Sequence, residues 1–454
     1  MRTREAYLPK KLHGAVEHWR DTFMPDYDYL LENWDEYFPK EPVFQLCAYR
    51  EIGVCDDIEC GDDAGKKKFT CAGDMNEERG HHLLGAIKAQ ASTEFGSIQQ
   101  HRLTLARAQS AEEQMWVMRM MAEELRHGYQ MLHILADDDW SKFTDQSSED
   151  MLEEILSMQT GSHILGAFNI DFDSFADNIT FCALIDRVGK YQLSMQRISA
   201  YKPMAESMPK MLREEAFHLA TGVVPMRRWV TAAAKGQVYI SMAMLQKVLN
   251  KWLPRGLEMF GDERGGGSNV RMGLKPMKNA EAQDEYYQEV SKLVDDLNMR
   301  YIRTRLPKLA YAEADKAYKT LLDGDNIDGV NADDILRMPD KGFYRRRGVP
   351  AFTMVGTQGE TFDDYDVYMR HLSQALPESY LASSDFSEYA EGMASVARGE
   401  LEPHEAARQM KTLRRVAATC PCSKSVRWVR DEDSNGDGDV ARGNGNGDAN
   451  KKPR

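Results

Sequence analysis

The strongest constraint on the fold is a pair of Glu-x-x-His motifs in long helical patterns. Glu124 and His127 lie in MWVMRMMAEELRHGYQMLHI, and Glu215 and His218 lie ninety-one residues later in MLREEAFHLATG. Residues three apart share one face of an α-helix, so each motif presents a carboxylate and an imidazole together. A further carboxylate stands about thirty residues upstream of each motif, a pattern typical of a metal pair held inside a helical bundle.

The first upstream carboxylate, Glu94, predicts an antiparallel helix hairpin. Glu94 and Glu124 are thirty residues apart, and their midpoint falls beside Ser110. Ser110 and Glu113 have the spacing of a capping box, which marks the start of a helix. Residues equidistant from a turn lie at the same height, so Glu94 would face the first motif.

The second upstream carboxylate, Asp186, predicts a matching hairpin. Asp186 and Glu215 are twenty-nine residues apart, and their midpoint falls in SAYKPM beside Pro203. Proline is well suited to the first turn of a helix. Both independently located turns therefore lie where the spacing of the acidic residues requires them.

Packing the two hairpins together predicts a site with four carboxylates and two imidazoles. Its members are Glu94, Glu124, His127, Asp186, Glu215 and His218. Four carboxylates largely neutralise two divalent ions, while two imidazoles complete the coordination and leave positions open for oxygen. The predicted cofactor is two Fe ions, with Mn as the alternative, and O₂ is the predicted co-substrate.

An acidic, solvated helix face is the alternative interpretation, since Glu123 and Glu214 directly precede the two motif glutamates. Against it, four hydrophobic residues flank the first motif on the same stripe: Val117, Met120, Met131 and Ile134. His101 shares a stripe with Glu94 but lies two turns away, which favours a core or supporting histidine over a ligand.

Long helices are predicted over nearly all of residues 76–257, so the expected fold class is all-α. We expect a ferritin-like four-helix di-metal carboxylate bundle with extra helices and small irregular N- and C-terminal additions. The first and third ligand helices are predicted over about 77–107 and about 174–199, and the second and fourth are predicted to start at Ser110 and at about Pro203. A fifth helix is predicted over Ala232–Leu253, ending at Pro254. A further pair of helices is predicted over about 280–322. We expect N-terminal helices with an irregular cap over residues 1–75 and the bundle over 76–257. A helical and loop extension is expected over 258–422, and a disordered tail over 423–454.

Composition excludes several classes of partner. With 72 acidic and 58 basic residues the formal net charge is −14, which argues against nucleic acid or an anionic membrane. No apolar run approaches the roughly 20 residues of a membrane span, and no secretory signal is visible. Seven cysteines indicate no disulfide framework, and the spacing of Cys47, Cys55, Cys60 and Cys71 favours free thiols over structural zinc. We therefore expect a cytoplasmic protein.

Four segments surround the predicted ligands: TEFGSIQQHR, AEELRH, LIDRVGKYQL and LREEAFHLATG. They resemble the oxygenase components of benzoyl-CoA 2,3-epoxidases and, more distantly, the catalytic subunits of phenylacetyl-CoA epoxidases. Asp186 as the third ligand, where most ferritin-like sites have Glu, fits the benzoyl-CoA branch. The resemblance covers roughly residues 15–395 and includes MFGDERGGGSNVRMGLKPM and MPDKGFYRRRG.

The resemblance implies a di-iron monooxygenase that activates O₂ and epoxidises the ring of an aromatic acyl-CoA, with electrons from a separate NADPH-dependent reductase. No G-x-G-x-x-G follows a predicted strand, which agrees with a separate reductase. A CoA thioester carries phosphates, so a local cationic patch is expected. The candidate substrate residues are Lys275, Lys278, Arg345, Arg346 and Arg347. A solvated basic loop is the alternative for each.

Two other functions are compatible with the same bundle. One is a di-metal oxygenase of other specificity, such as an amine N-oxygenase or hydroxylase, because fold does not fix substrate. The other is a ferritin-like iron-storage or structural protein. About 200 residues follow the bundle, which argues against storage.

Overall fold

The computed structural model describes residues 2–170, 172, 174–237, 241–261, 267–339, 354–355, 361–362, 364–375, 381–382 and 384–400. Within them the fold is almost entirely helical, which confirms the predicted all-α, ferritin-like class. The α-helices are α1 (Lys10–Phe23), α2 (Tyr27–Glu32), α3 (Trp34–Tyr37), α4 (Glu77–Thr104), α5 (Ala111–Ala136), α6 (Ser148–Ser157), α7 (Phe175–Gln196), α8 (Lys202–Ala234), α9 (Met242–Met259), α10 (Ser268–Arg271), α11 (Asn279–Arg305), α12 (Tyr311–Leu322), α13 (Tyr365–Ala375) and α14 (Ser384–Ala397).

Helices α4, α5, α7 and α8 coincide with the four predicted ligand helices. The side chain of Asn76 accepts a hydrogen bond from the backbone N–H of Arg79 and so caps α4. At the start of α5, the Ser110 side chain accepts from the backbone N–H of Glu113 over 3.1 Å. The reciprocal bond from the Ser110 backbone N–H to the Glu113 side chain is not formed; the Glu113 side chain is buried instead. Only half of the predicted capping box is therefore present.

The predicted fifth helix is wrong at both ends. Helix α8 continues to Ala234, and α9 begins at Met242 and runs past Pro254 to Met259. A proline inside a helix loses one backbone hydrogen bond. Trp252, Leu253 and Leu257 are buried around it, so the burial of apolar surface offsets that loss.

The bundle consists of two antiparallel hairpins, α4 with α5 and α7 with α8, which meet through α5 against α8. Helices α7 and α8 approach very closely at Gly222. A Cβ atom at Gly222 would lie 2.3 Å from the backbone nitrogen of Ala183 and 2.7 Å from the carbonyl oxygen of Ile179. Helix α8 therefore needs a residue without a side chain at this position. Helices α9 and α11 pack against the outer side of this hairpin.

The N-terminal residues cover one face of the bundle. Strands β1 (Arg2–Ala6) and β2 (Ala48–Ile52) pair antiparallel, with Arg2 opposite Ile52 and Ala6 opposite Ala48. Strand β2 packs against α5 and α8. A second two-stranded sheet, β3 (Met354–Val355) with β4 (Thr361–Phe362), lies far along the chain. The predicted irregular cap is thus anchored to a strand from the start of the chain.

None of the helices in the described ranges is both long enough and apolar enough to span a membrane. The cysteines of the described residues are free thiols; Cys47 and Cys182 are buried, and Cys55 and Cys71 are exposed.

Candidate metal centre

The two Glu-x-x-His motifs meet in the middle of the bundle. One ligand atom each from Glu124, His127, Glu215 and His218 can be chosen so that all four lie within 4.8 Å of one another. The imidazole centroids are 5.4 Å apart, and all four side chains are buried. The i, i+3 spacing puts each pair on the inner face of its helix, and the contact between α5 and α8 brings the pairs together.

The two upstream carboxylates reach the same cluster. Glu94 Oε2 lies 3.8 Å from His127 Nδ1, and the Glu94 and Glu124 carboxyl groups share a hydrogen bond. Asp186 is buried close enough to Glu215 for that charge to raise its pKa. The structure therefore brings all six predicted residues together.

Both imidazoles turn Nδ1 towards the cluster and Nε2 away from it. His218 Nδ1 lies 3.2 Å from Glu124 Oε1 and 3.6 Å from Glu215 Oε2. His127 Nε2 donates a hydrogen bond to Glu214 Oε2 over 3.0 Å. His218 Nε2 lies 3.2 Å from Glu123 Oε2. The inward Nδ1 atoms are therefore the nitrogens available to a cation.

Glu123 and Glu214, which the sequence offered as signs of a solvated face, are buried with exposed fractions of 3% and 5%. Each lies beside the histidine of the opposite hairpin. A carboxylate on the outer nitrogen of a metal-binding imidazole fixes its tautomer and orientation. The only signal in the sequence was an acid directly before each motif glutamate, and that signal does not reveal burial.

Basic residues compensate these outer carboxylates. Lys210 pairs with Glu214, and Arg119 pairs with Glu123 at 3.0 Å, each one turn away on the same helix. Arg126 also pairs with Glu214. The two glutamates are therefore buried as ion pairs rather than as isolated charges.

Residues 27–49, here called the N-terminal segment, contact both Arg119 and Arg126. The Arg126 guanidinium lies 4.2 Å from the ring centroid of Phe44 and donates to the carbonyl oxygen of Gln45. Arg119 stacks 4.9 Å from the ring centroid of Phe38 and lies 3.7 Å from Glu41. This segment completes the charge balance around the centre from outside the four-helix bundle.

The pKa values of the buried groups show that the cluster needs positive charge to balance its carboxylates. Burial and the charge of Glu94 hold the pKa of Glu124 well above its ordinary value. Burial and the charge of Glu215 raise the pKa of Asp186 to about 8. Burial would lower the pKa of His127, but Glu214 and Glu94 outweigh it and raise that pKa to about 10. Without a cation, protons must supply the charge.

The donor atoms fit a cation. Among the described residues, four inward atoms are buried without a hydrogen-bond partner: His127 Nδ1, His218 Nδ1, Asp186 Oδ2 and Glu215 Oε2. Unpaired polar atoms are costly in a protein interior. Oxygen and imidazole donors in this ratio suit first-row divalent metals. The cluster is therefore equipped to hold metal ions.

Three neighbours of the cluster carried no usable signal in the sequence. Gln90 donates from Nε2 to Glu94 Oε1 over 2.7 Å. The thiol of Cys182 hydrogen-bonds with Asp186. A Cβ atom at Gly189 would lie 3.0 Å from Glu215 Oε1, so glycine leaves that carboxylate its space.

A cavity of about 220 Å³ opens beside the cluster, between α4 and α7. Lys275, one of the predicted substrate residues, is buried and lines it. Lys278 is exposed and is not among the lining residues. Arg345, Arg346 and Arg347 lie outside the described residues.

His101 is a core residue of the bundle. His101 packs edge-on against Phe172 and Phe181 and accepts a hydrogen bond from Asn178. Burial lowers its pKa to about 3. His101 is therefore a neutral core side chain, which agrees with the sequence-based prediction of a core or supporting histidine.

Comparison with known proteins identifies related chains. The profile of the family described as phenylacetic acid catabolic protein matches residues 68–323, more than half of the 454 residues. The chain is also similar to a protein named benzoyl-CoA oxygenase component B from Aromatoleum evansii. The two are 24% identical over 420 residues, which cover 82% of this chain and 88% of that protein. The matched family region includes α4, α5, α7 and α8.

Proposed function

The chain belongs to the phenylacetic acid catabolic protein family, and from that premise we propose that it is the oxygenase component of a di-iron monooxygenase. The proposed reaction epoxidises the ring of an aromatic acyl-CoA thioester such as benzoyl-CoA. One atom of O₂ enters the ring and the other leaves as water, with two protons and with two electrons from NADPH through a separate reductase. The buried cluster of four carboxylates and two imidazoles carries this proposal. The name of the Aromatoleum evansii relative supports the choice of substrate.

Six residues would hold the ions: Glu94, Glu124, His127, Asp186, Glu215 and His218. A bound di-iron centre supplies the redox chemistry that activates O₂. The chain supplies orientation. Glu214 accepts a hydrogen bond from His127 Nε2, and Glu123 lies 3.2 Å from His218 Nε2, so each imidazole keeps its Nδ1 directed inward.

Burial and local space are the other contributions of the chain. The six residues are each at most 6% exposed, so bulk water is kept from the reacting atoms and side reactions are suppressed. A side chain at position 189 would crowd the Glu215 carboxylate, and Gly189 avoids that contact. Among the predicted substrate residues that the structure describes, Lys275 lines the cavity and is best placed to contact an anionic part of the thioester.

The metal site is tested by the iron content of protein produced with iron. The wild-type chain should contain two iron ions, and Glu124→Ala and His218→Ala should lose most of them together with oxygen-dependent turnover. His81→Ala, which changes an exposed histidine of α4, is the control and should keep both. Unchanged iron in both site variants would refute the site.

The substrate class is tested by calorimetric titration of the iron-loaded protein with benzoyl-CoA and with free benzoate. We expect measurable binding of the thioester and much weaker binding of the acid. Equal affinities would contradict the acyl-CoA assignment and favour a di-metal oxygenase of other specificity. Product analysis with a reducing system then distinguishes epoxidation from hydroxylation.

A further inference from the structure

A second cavity lies on the side of α8 that faces away from the metal centre. It measures about 540 Å³, within the roughly 300–1,000 Å³ typical of small-molecule sites. Arg213 of α8 lines it and stands two residues before Glu215, which corresponds to about 200° around the helix. None of its described lining residues also lines the cavity between α4 and α7. The two cavities therefore have different walls.

Three elements form the walls of this second cavity. Residues 51–55 at the end of β2, residues 197–198 at the end of α7, and α8 all contribute to it. Gly53 has a φ of 98° and turns the chain after β2. The loop that follows is anchored, because Lys202 at the start of α8 pairs with Asp56 at 2.6 Å. A ligand therefore meets walls that are already in place, which lowers the cost of binding.

Much of the lining is apolar. Ile52, Val54, Ile198, Pro209 and Leu212 contribute to it. Ile52 is 58% exposed, so a ligand that covers it removes apolar surface from water. The lining therefore suits a ligand with an apolar body.

The charged groups of the cavity leave one cation unbalanced. Glu59 lines the cavity and pairs with Lys68 at 3.0 Å. Glu51 lines it and pairs with Arg213 at 3.2 Å. Arg197 also lines the cavity, is exposed, and pairs with no carboxylate in the described part of the chain. An anion in the cavity would balance this guanidinium group.

Arg213 is held in position by a buried carboxylate. Glu51 is 3% exposed, and its Oε2 accepts from both Nη1 and Nη2 of Arg213. Its Oε1 is buried and accepts from no residue in the described ranges, so Arg213 is the group that balances this carboxylate. The Arg213 side chain is half exposed. Because a guanidinium group carries five N–H donors, donors remain for a second acceptor such as a carboxylate or a phosphate.

We propose that this cavity binds an amphipathic organic anion, with a carboxylate or phosphate group facing Arg197 and Arg213 and an apolar body against Ile52. The site goes beyond the proposed function and does not depend on it, because none of the six residues proposed to hold the ions lines this cavity. The bound anion would connect β2 and the end of α7 to α8. Binding would therefore stabilise the folded arrangement of these elements.

Cys55 makes the site measurable in the unmodified protein. Its exposed thiol lines the cavity, whereas Cys71 is exposed and does not line it. Octanoate at about ten times its Kd should slow the alkylation of Cys55 by iodoacetamide about tenfold, because only the empty site reacts. The rate at Cys71 should not change, and peptide mass spectrometry measures both. An unchanged rate at Cys55 with octanoate and with octyl phosphate would refute the site.

The head group of the probe tests the charge of the ligand. Octylamine has an alkyl body like that of octanoate but carries a positive charge, so it should not protect Cys55. Equal protection by octylamine would overturn the assignment of an anion site. Tighter binding of octyl phosphate than of octanoate would identify the natural ligand as a phosphate ester, and the reverse would identify it as a carboxylic acid.

Two pairs of variants at exposed positions test the cavity walls. Arg197→Gln should raise the octanoate concentration for half-protection about tenfold, the effect of losing a hydrogen bond to a charged group. Arg300→Gln, at an exposed arginine of α11, should leave it unchanged. Ile52→Asp places a negative charge beside the anion and should weaken protection, whereas Val43→Asp, at an aliphatic residue that is 52% exposed, should not. Wild-type protection in both cavity variants would disprove the proposal.

Discussion

His127 of α5 donates from Nε2 to Glu214 of α8 over 3.0 Å, so the histidine of one hairpin is oriented by a carboxylate of the other. In the opposite direction, the Glu123 carboxylate of α5 lies 3.2 Å from His218 Nε2 of α8. This exchange makes the proposed metal centre a property of the assembled bundle. Neither hairpin alone has its imidazole fixed.

Glu214→Gln should weaken metal binding about 10- to 100-fold, the usual cost of removing the carboxylate that orients a metal-binding imidazole. The amide keeps the shape of the side chain but is a weaker acceptor. Titration of the metal-free protein with Co²⁺, followed by calorimetry, measures the change. Glu206→Gln, on the same helix but partly exposed, should bind as the wild type does, and equal affinities for all three proteins would contradict the orienting role.

Arg126→Met should lower the free energy of unfolding by about 3–5 kcal/mol, because it leaves Glu214 buried with one partner fewer. The Arg126 side chain is 8% exposed, and its guanidinium also bonds to Gln45 of the N-terminal segment. Arg228→Met removes an ion pair with Glu112 in which both side chains are 47% exposed. That control should change stability by no more than about 1 kcal/mol. Urea unfolding of the metal-free proteins measures both, and similar losses would show that burial does not decide the cost.

Gly222→Ala should destabilise the bundle by about 3 kcal/mol or more, because the new methyl group would meet the backbone of α7 rather than a movable side chain. Gly14→Ala, in α1, has no atom within 4 Å of the new Cβ. It should be neutral or stabilise by up to about 1 kcal/mol through helix propensity. Thermal unfolding of the two variants tests the close approach, and a stable Gly222→Ala protein would disprove it.

His163 should make the protein sensitive to acid. Its Nε2 donates to Gln99 and its Nδ1 accepts from Ser92, and burial lowers its pKa to about 4. An unfolded histidine titrates near 6.5. Above that pH the stabilisation is fully present, and it is lost as the pH falls from about 6.5 to about 4, by about 3 kcal/mol in total.

His163→Gln removes this titration, so its stability should fall less than that of the wild type between pH 6.5 and 4. Urea unfolding of the metal-free proteins at a series of pH values measures the slopes. His81→Gln, at an exposed site of the same structure, should keep the wild-type slope. Parallel slopes for all three proteins would rule out the contribution of His163.

The helices were predictable wherever local signals agreed. Ser110 and Pro203 mark real helix starts, because capping and first-turn preferences act within a few residues. The prediction failed at Pro254, where buried neighbours override a local rule. Contacts between distant parts of the chain are not encoded in the window that a capping or breaking rule uses.

The sequence by itself determined the fold class and which six residues come together, because helical periodicity and the distance from each turn fix the height and face of a side chain. Only the tertiary structure decided which other residues surround these six side chains. Glu123 lies about 100° around the helix from Glu124, and its burial depends on His218 and Arg119 covering that direction. The contact of the N-terminal segment with Arg126 and the cavity at Gly189 likewise depend on contacts between elements. Each arises where residues far apart in sequence pack together, and spacing along one helix carries no information about its neighbour.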